Sequence, residues 1–127
     1  MALDRHVLAP VGSTGNNTHA GLFVGEMYAG IGGDFVVEAV GATPTVTFEI
    51  EGSFDGTFWH KWLMREGDGT TLPTTLTKTA VGHYDFFPEA SVGGSALKLF
   101  PWVRLITTAN TNVTYSCGAY IIHQDSQ

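Results

Sequence analysis

The chain has 127 residues, enough for one domain, and only 14% are charged against 43% hydrophobic, so Thr, Ser, Asn and Gly must cover much of its surface. Its net charge of -6 and six scattered basic residues exclude the basic patch that phosphate contacts need, and no nucleic-acid partner is expected. Cys117 is the single cysteine, which excludes an intrachain disulfide, and no apolar stretch reaches the ~18 residues that cross a bilayer, so no membrane partner is expected.

The opening residues Met1-Ala2-Leu3-Asp4-Arg5-His6 lack the apolar core and small-residue cleavage site of a secretory leader, which predicts a protein made in the cytoplasm. Residues 9–33 are rich in Gly, Asn, Thr and Ser, and Val11-Gly12-Ser13-Thr14-Gly15-Asn16-Asn17 has almost nothing to bury. The expectation is a flexible, extended N-terminal arm over 1–33 and a compact domain over 34–127, with a further edge strand or ordered extension open where Leu22-Phe23-Val24 is followed by Met27, Tyr28 and Ile31 between glycines. Apolar islands (Leu3, Val7, Leu8, Leu22, Phe23 and Val24) are spaced along the arm as anchors. The glycosylation sequons at Asn16 and Asn112 read as turn chemistry.

From Phe35 the strand signal sharpens. Residues 35–40 are β-branched and bounded by turn residues, and residues 45–51 alternate, with Val46, Phe48 and Ile50 on one face and Thr47, Glu49 and Glu51 on the other. The cluster Gly52-Ser53-Phe54-Asp55-Gly56-Thr57 centres on Asp-Gly, and the aromatic segment 58–64 returns from it as a hairpin. A polar loop over 65–71 leads to short strands over 75–81 and 83–87, the second stopped by Pro88, and a further loop spans 89–95. Residues 97–100 and 102–107 follow as strands around Pro101, then the turn Ala109-Asn110-Thr111-Asn112 and an alternating run over 113–122. Strands recurring every ~8–12 residues without helical periodicity predict an all-β fold, an antiparallel β-sandwich of jelly-roll-like type.

The residue pattern assembles no catalytic centre, metal site or cofactor site, and the chain reads as non-enzymatic. The five histidines are dispersed without metal-ligand spacing. His83 and Asp85 share one face of a strand and form a surface pair; Glu49 and Glu51 are outward-facing acids without a partner base. Glu66-Gly67-Asp68-Gly69-Thr70 lacks the spaced oxygens of a calcium loop, and Cys117 lies on the apolar face of its strand as a small buried hydrophobe. The aromatics carry more information. Trp59 and Trp62 point to opposite faces of a strand, so either one fills the core while the other meets a sugar ring or a protein neighbour, or both close opposite edges of one core. Phe54, Trp102, Leu22 and Phe23 join them as candidate contact residues.

The hairpin Gly52-Ser53-Phe54-Asp55-Gly56-Thr57-Phe58-Trp59 resembles the Gly-Ser-x-Asp-Gly-Thr-x-Trp hairpin of small phage virion β-sandwich proteins, and Pro101-Trp102-Val103-Arg104-Leu105 with Val113-Thr114-Tyr115 resembles their closing hairpin. The resemblance covers about residues 35–122. It implies a structural protein of a tailed-phage virion, a capsid decoration (cement) protein, with minor head or tail proteins as near alternatives. The partners it implies are the major capsid protein and further copies of this chain, as trimers or dimers. A different class remains open, a carbohydrate-binding or host-surface adhesin module that uses Trp59 or Trp62.

Overall fold

The computed structural model describes residues 2–26, 28–66, 73–89 and 99–123. Among these residues nine strands form one antiparallel sheet: β1 (Ala2–Thr14), β2 (Asn17–Thr18), β3 (Leu22–Phe23), β4 (Tyr28–Ser53), β5 (His60–Lys61), β6 (Met64–Glu66), β7 (Leu76–Lys78), β8 (Gly82–Pro88) and β9 (Trp102–His123). The expected fold class, all-β and antiparallel, is the observed one. The strand order β1-β9-β4-β8-β6 is extended by β2 and β3 on β9 and by β5 and β7 on β4.

Two long strands organise everything else. β4 and β9 pair from Tyr28 opposite His123 to Ser53 opposite Trp102, and the ladder passes through a corner instead of ending there. The segments 41–44 and 109–112, expected as turns between separate strands, are matching bends within β4 and β9. Thr43, Ala109 and Asn112 adopt φ of +43°, +50° and +55° there. Side-chain amides replace the lost ladder bonds: Asn112 Nδ2 donates to the Ala42 carbonyl at 2.8 Å, and Val113 N–H donates to Asn110 Oδ1 at 3.1 Å.

Bending folds the ribbon onto itself and creates two facing layers. Phe35, before the corner, stacks on Phe48, beyond it, with centroids 4.1 Å apart and planes within 7°; Tyr115 stacks on the other side of Phe35 at 5.3 Å. The alternation read over 45–51 and 113–122 is the core face, because Val46, Phe48, Ile50, Val113, Tyr115, Cys117, Ala119 and Ile121 are all buried. The Tyr115 ring is fully buried and its hydroxyl is satisfied by Thr107 Oγ1 at 2.9 Å, His19 Nε2 at 2.8 Å and Asn17 Nδ2 at 3.2 Å. That hub ties the segment before β3 to the core.

The N-terminal region departs from the expected loose arm. β1 pairs along the last strand from Ala2 opposite His123 to Thr14 opposite Thr114, and β2 and β3 pair with the first part of β9. The free edge of β9 supplies backbone partners that composition does not reveal, and Leu8, Ala9 and Val24 are buried beneath them. The expected boundary at 33/34 falls inside β4, where glycine marks packing and not a linker. A Cβ on Gly33 would lie 1.9 Å from the buried Phe86 ring. The expected loops over 65–71 and 89–95 and the strand over 97–100 lie largely outside the described residues.

Gly33→Ala is therefore expected to cost about 1–3 kcal/mol by overpacking. Gly30→Ala, whose new methyl meets nothing nearer than 3.7 Å, is expected to change little; chemical denaturation of the two variants checks the contrast. Burial lowers the His19 pKa from its usual 6.5, so the folded state holds this ring neutral. Its contribution to stability is complete above pH 6.5 and is lost as pH falls toward the lowered folded value. His19→Gln is expected to flatten the fall in thermal midpoint across that window.

Candidate functional site

The open end of the second layer, opposite the corner, gathers the aromatic residues. Its frame is the Asp-Gly turn between β4 and β5. Ser53 Oγ accepts from the N–H groups of Asp55 (3.3 Å) and Gly56 (2.9 Å) and donates to Asp55 Oδ1 at 3.0 Å, while Asp55 Oδ1 accepts from Thr57 N–H at 2.8 Å and Phe58 N–H at 2.9 Å. Those donors hold the Asp55 carboxyl below its usual 3.8, the Phe58 and Thr57 bonds first. Gly56 takes φ +78° and lies against Trp102. A turn so fully bonded fixes the side chains on its two shoulders, Phe54 and Phe58, which stand 61% and 72% exposed.

Behind the turn, the candidate residues fall into two groups on the two faces of the hairpin. On the inner face, Phe100 is the hub: Phe54 packs on it at 4.7 Å, Trp62 edge-on at 4.9 Å and His60 stacked at 5.7 Å. Together with Lys61 and Glu89 they line an open cleft of about 290 Å³. Trp62 is 2% exposed, with its indole N–H donating to the Glu89 carbonyl at 2.9 Å. On the outer face, Phe23 meets Trp102 edge-on at 5.4 Å, and the Arg104 guanidinium lies 4.3 Å from the Trp59 ring centre. Arg104 is itself held by Glu51, Nη2 to Oε1 at 2.6 Å.

The structure thus brings Trp59, Trp62, Phe54, Trp102 and Phe23 to one end of the molecule, with the two tryptophans on opposite faces. Leu22 pairs opposite Val103 and packs toward the core. Phe58, His60, Phe100 and Arg104 are further members. Phe58 and Phe54 flank the Asp-Gly-Thr turn symmetrically, which was the signal available for Phe58.

The acidic candidates are engaged elsewhere. Glu49 pairs with Lys61 at 3.3 Å and Glu51 with Arg104. His83 Nδ1 lies 3.4 Å from Asp34 Oδ2, across the β4–β8 ladder in which Asp34 stands opposite Asp85. Cys117 is fully buried and its pKa is raised, by desolvation first and then by the Asp34 charge. Among the described residues, no three His, Cys, Asp or Glu side chains are grouped to hold a metal ion. Glu66 is bonded to Lys78, and the rest of the acidic loop lies outside the described residues.

No family model matches the chain, and no curated protein matches it in sequence. In fold it is similar to the SPBc2 prophage-derived protein YomS, known from a crystal structure, with a TM-score of 0.59 over 95% of each chain. Sequence identity is 10%, so the likeness is one of fold.

Gly56→Val places a β-branched residue at φ +78° with its Cβ 3.1 Å from the Trp102 indole. It is expected to cost about 1 kcal/mol or more and to shift the indole resonance of Trp102. Urea unfolding and an amide-indole NMR spectrum measure both effects.

Proposed function

We propose that this chain is a non-enzymatic structural protein of a tailed-phage particle, a capsid decoration protein that docks on the outer shell. The observation that carries the reading is the aromatic rim: Phe54 and Phe58, held outward by a rigid turn, with Phe23 half-exposed beside Trp102. Large exposed rings on a preorganised support suit a protein contact, because their apolar area is buried at little cost in chain entropy. The fold likeness to a prophage-derived protein and the phage-type hairpin motif agree with it.

The rim also favours a protein partner over a glycan. Sugar platforms use tryptophan or tyrosine rings with a free face and a polar handle. Here Trp62 is buried, Arg104 covers the ring of Trp59, and the free rings are phenylalanines.

The test is co-sedimentation of the purified protein with phage heads prepared without it, compared with Phe54→Ser/Phe58→Ser. Both side chains are mostly exposed, so the variant is expected to stay folded, with a small fall in unfolding midpoint from the lost Phe54–Phe100 contact, and to bind at least about tenfold more weakly. Unchanged affinity for heads overturns the rim as the contact. Binding to a glycan array, with none to heads, moves the protein to the adhesin class.

A further inference from the structure

The outer edge of β1 is the other surface on which the molecule leaves bonding capacity unused. β1 ends the strand order, so its side away from β9 has no strand beside it among the described residues. Natural edge strands of this length are guarded by charges, prolines or bulges. The second half of β1 has such guards: its register breaks after Val7 and again after Ala9, Pro10 interrupts it, and Gly12 turns to φ +86°. The first half has neither bulge nor proline, because Ala2 to Val7 run in unbroken register opposite His123 to Gly118.

Both charges in that half are bonded toward β9 and away from the edge, though their side chains stay exposed. Asp4 Oδ2 lies 2.8 Å from His123 Nε2 on β9. Arg5 donates from Nε to the Tyr120 hydroxyl at 3.2 Å and lays its guanidinium over Gly118, where a Cβ would be 2.6 Å from it. Glycine at 118 thus makes room for an arginine that folds away from the edge. On the outer face the two residues flanking Arg5 are apolar and exposed, Leu3 at 63% and Val7 at 51%.

We infer that two copies of this chain pair antiparallel through residues 2–8 of β1, about a twofold axis at Arg5, and so join their sheets into one. A twofold perpendicular to a sheet keeps each residue on its own face, so positions pair only when their numbers sum to an even value. With the axis at Arg5 the segment is its own complement. Leu3 meets the partner's Val7 on the outer face, and Asp4 meets the partner's His6 on the inner face, at the roughly 5 Å Cβ spacing of cross-strand neighbours. His6 Nε2 is buried without a hydrogen-bond partner among the described residues, and this register brings a carboxylate beside that ring. The match of an unpartnered buried ring nitrogen with a carboxylate therefore selects a second copy over an unrelated strand. Arg5 faces its counterpart, but its guanidinium is held over β9.

The pairing is independent of shell docking, so isolated protein tests it. Sedimentation equilibrium is expected to show a dimer, and Leu3→Lys/Val7→Lys a monomer with unchanged circular dichroism and thermal midpoint. Under mild oxidation Leu3→Cys/Val7→Cys is expected to form a covalent dimer. Leu3→Cys alone is not, since residue 3 and its counterpart lie about 13 Å apart along the strands; Cys117 is buried and silent. A monomer at every concentration, a lysine variant that stays dimeric, or cross-linking by Leu3→Cys alone overturns the inference. None of these results bears on the rim, whose variant is read against phage heads.

Discussion

The β4–β9 ladder is the constraint on which the rest of the molecule depends. β1, β2 and β3 attach to β9, β5, β7 and β8 attach to β4, and only β6 is held at one remove, on β8. A flat ribbon of this length would expose one apolar face. Bending both strands at the same level turns that face upon itself, and the Phe48–Phe35–Tyr115 stack is the result. Three non-glycine residues with positive φ are the local cost, of order 1–2 kcal/mol each. Burying three aromatic side chains contributes about 6–9 kcal/mol at roughly 2–3 kcal/mol per ring, against about 3–6 kcal/mol for the three strained residues together.

The corner also decides where unpaired apolar surface is left. With the two layers closed at one end, the hairpin between β4 and β5 becomes the open end, and its rings have only each other to pack against. Phe100 absorbs Phe54, Trp62 and His60 on the inside, and Arg104 covers Trp59 outside. On the shoulders of the turn, Phe54 keeps 61% of its surface exposed despite its contact with Phe100, and Phe58 keeps 72%. A chain with few charges cannot hide this rim behind long polar side chains, as charged surfaces do.

Legibility in the sequence followed the strength of local patterns. The runs over 45–51 and 113–122 alternate strictly, and their apolar face is the core. The opposite placement of Trp59 and Trp62 follows from their odd separation, and the Asp55-Gly56 turn from its composition. The bends were legible as breaks, but their pairing across the break was not, since nothing local says that two breaks 70 residues apart lie opposite one another. Gly33 stands at the expected boundary between arm and domain because glycine signals both freedom and close approach. Only the position of Phe86 over Gly33 distinguishes the two. Of the site, the aromatic group was legible and its exposure was not: the rings left open are Phe54 and Phe58, because Arg104 and Glu89 engage the tryptophans.

The N-terminal region was misjudged for a reason that also explains its importance. Its composition is that of a loop, and Leu3-Asp4-Arg5-His6-Val7 alternates too weakly to announce a strand. It becomes one because β9 would otherwise leave its backbone groups on that side without partners. Adding a strand to an open sheet does not remove an edge; it moves the edge outward by one strand. At the other end of the same layer the edge among the described residues is β6, three residues long, too short there to template a further strand. At this end it is β1, thirteen residues long. Bulges, Pro10 and Gly12 protect the part near the corner. The part near the termini has had its charges recruited to hold β1 on β9, and the same contacts that secure the strand leave its far side undefended.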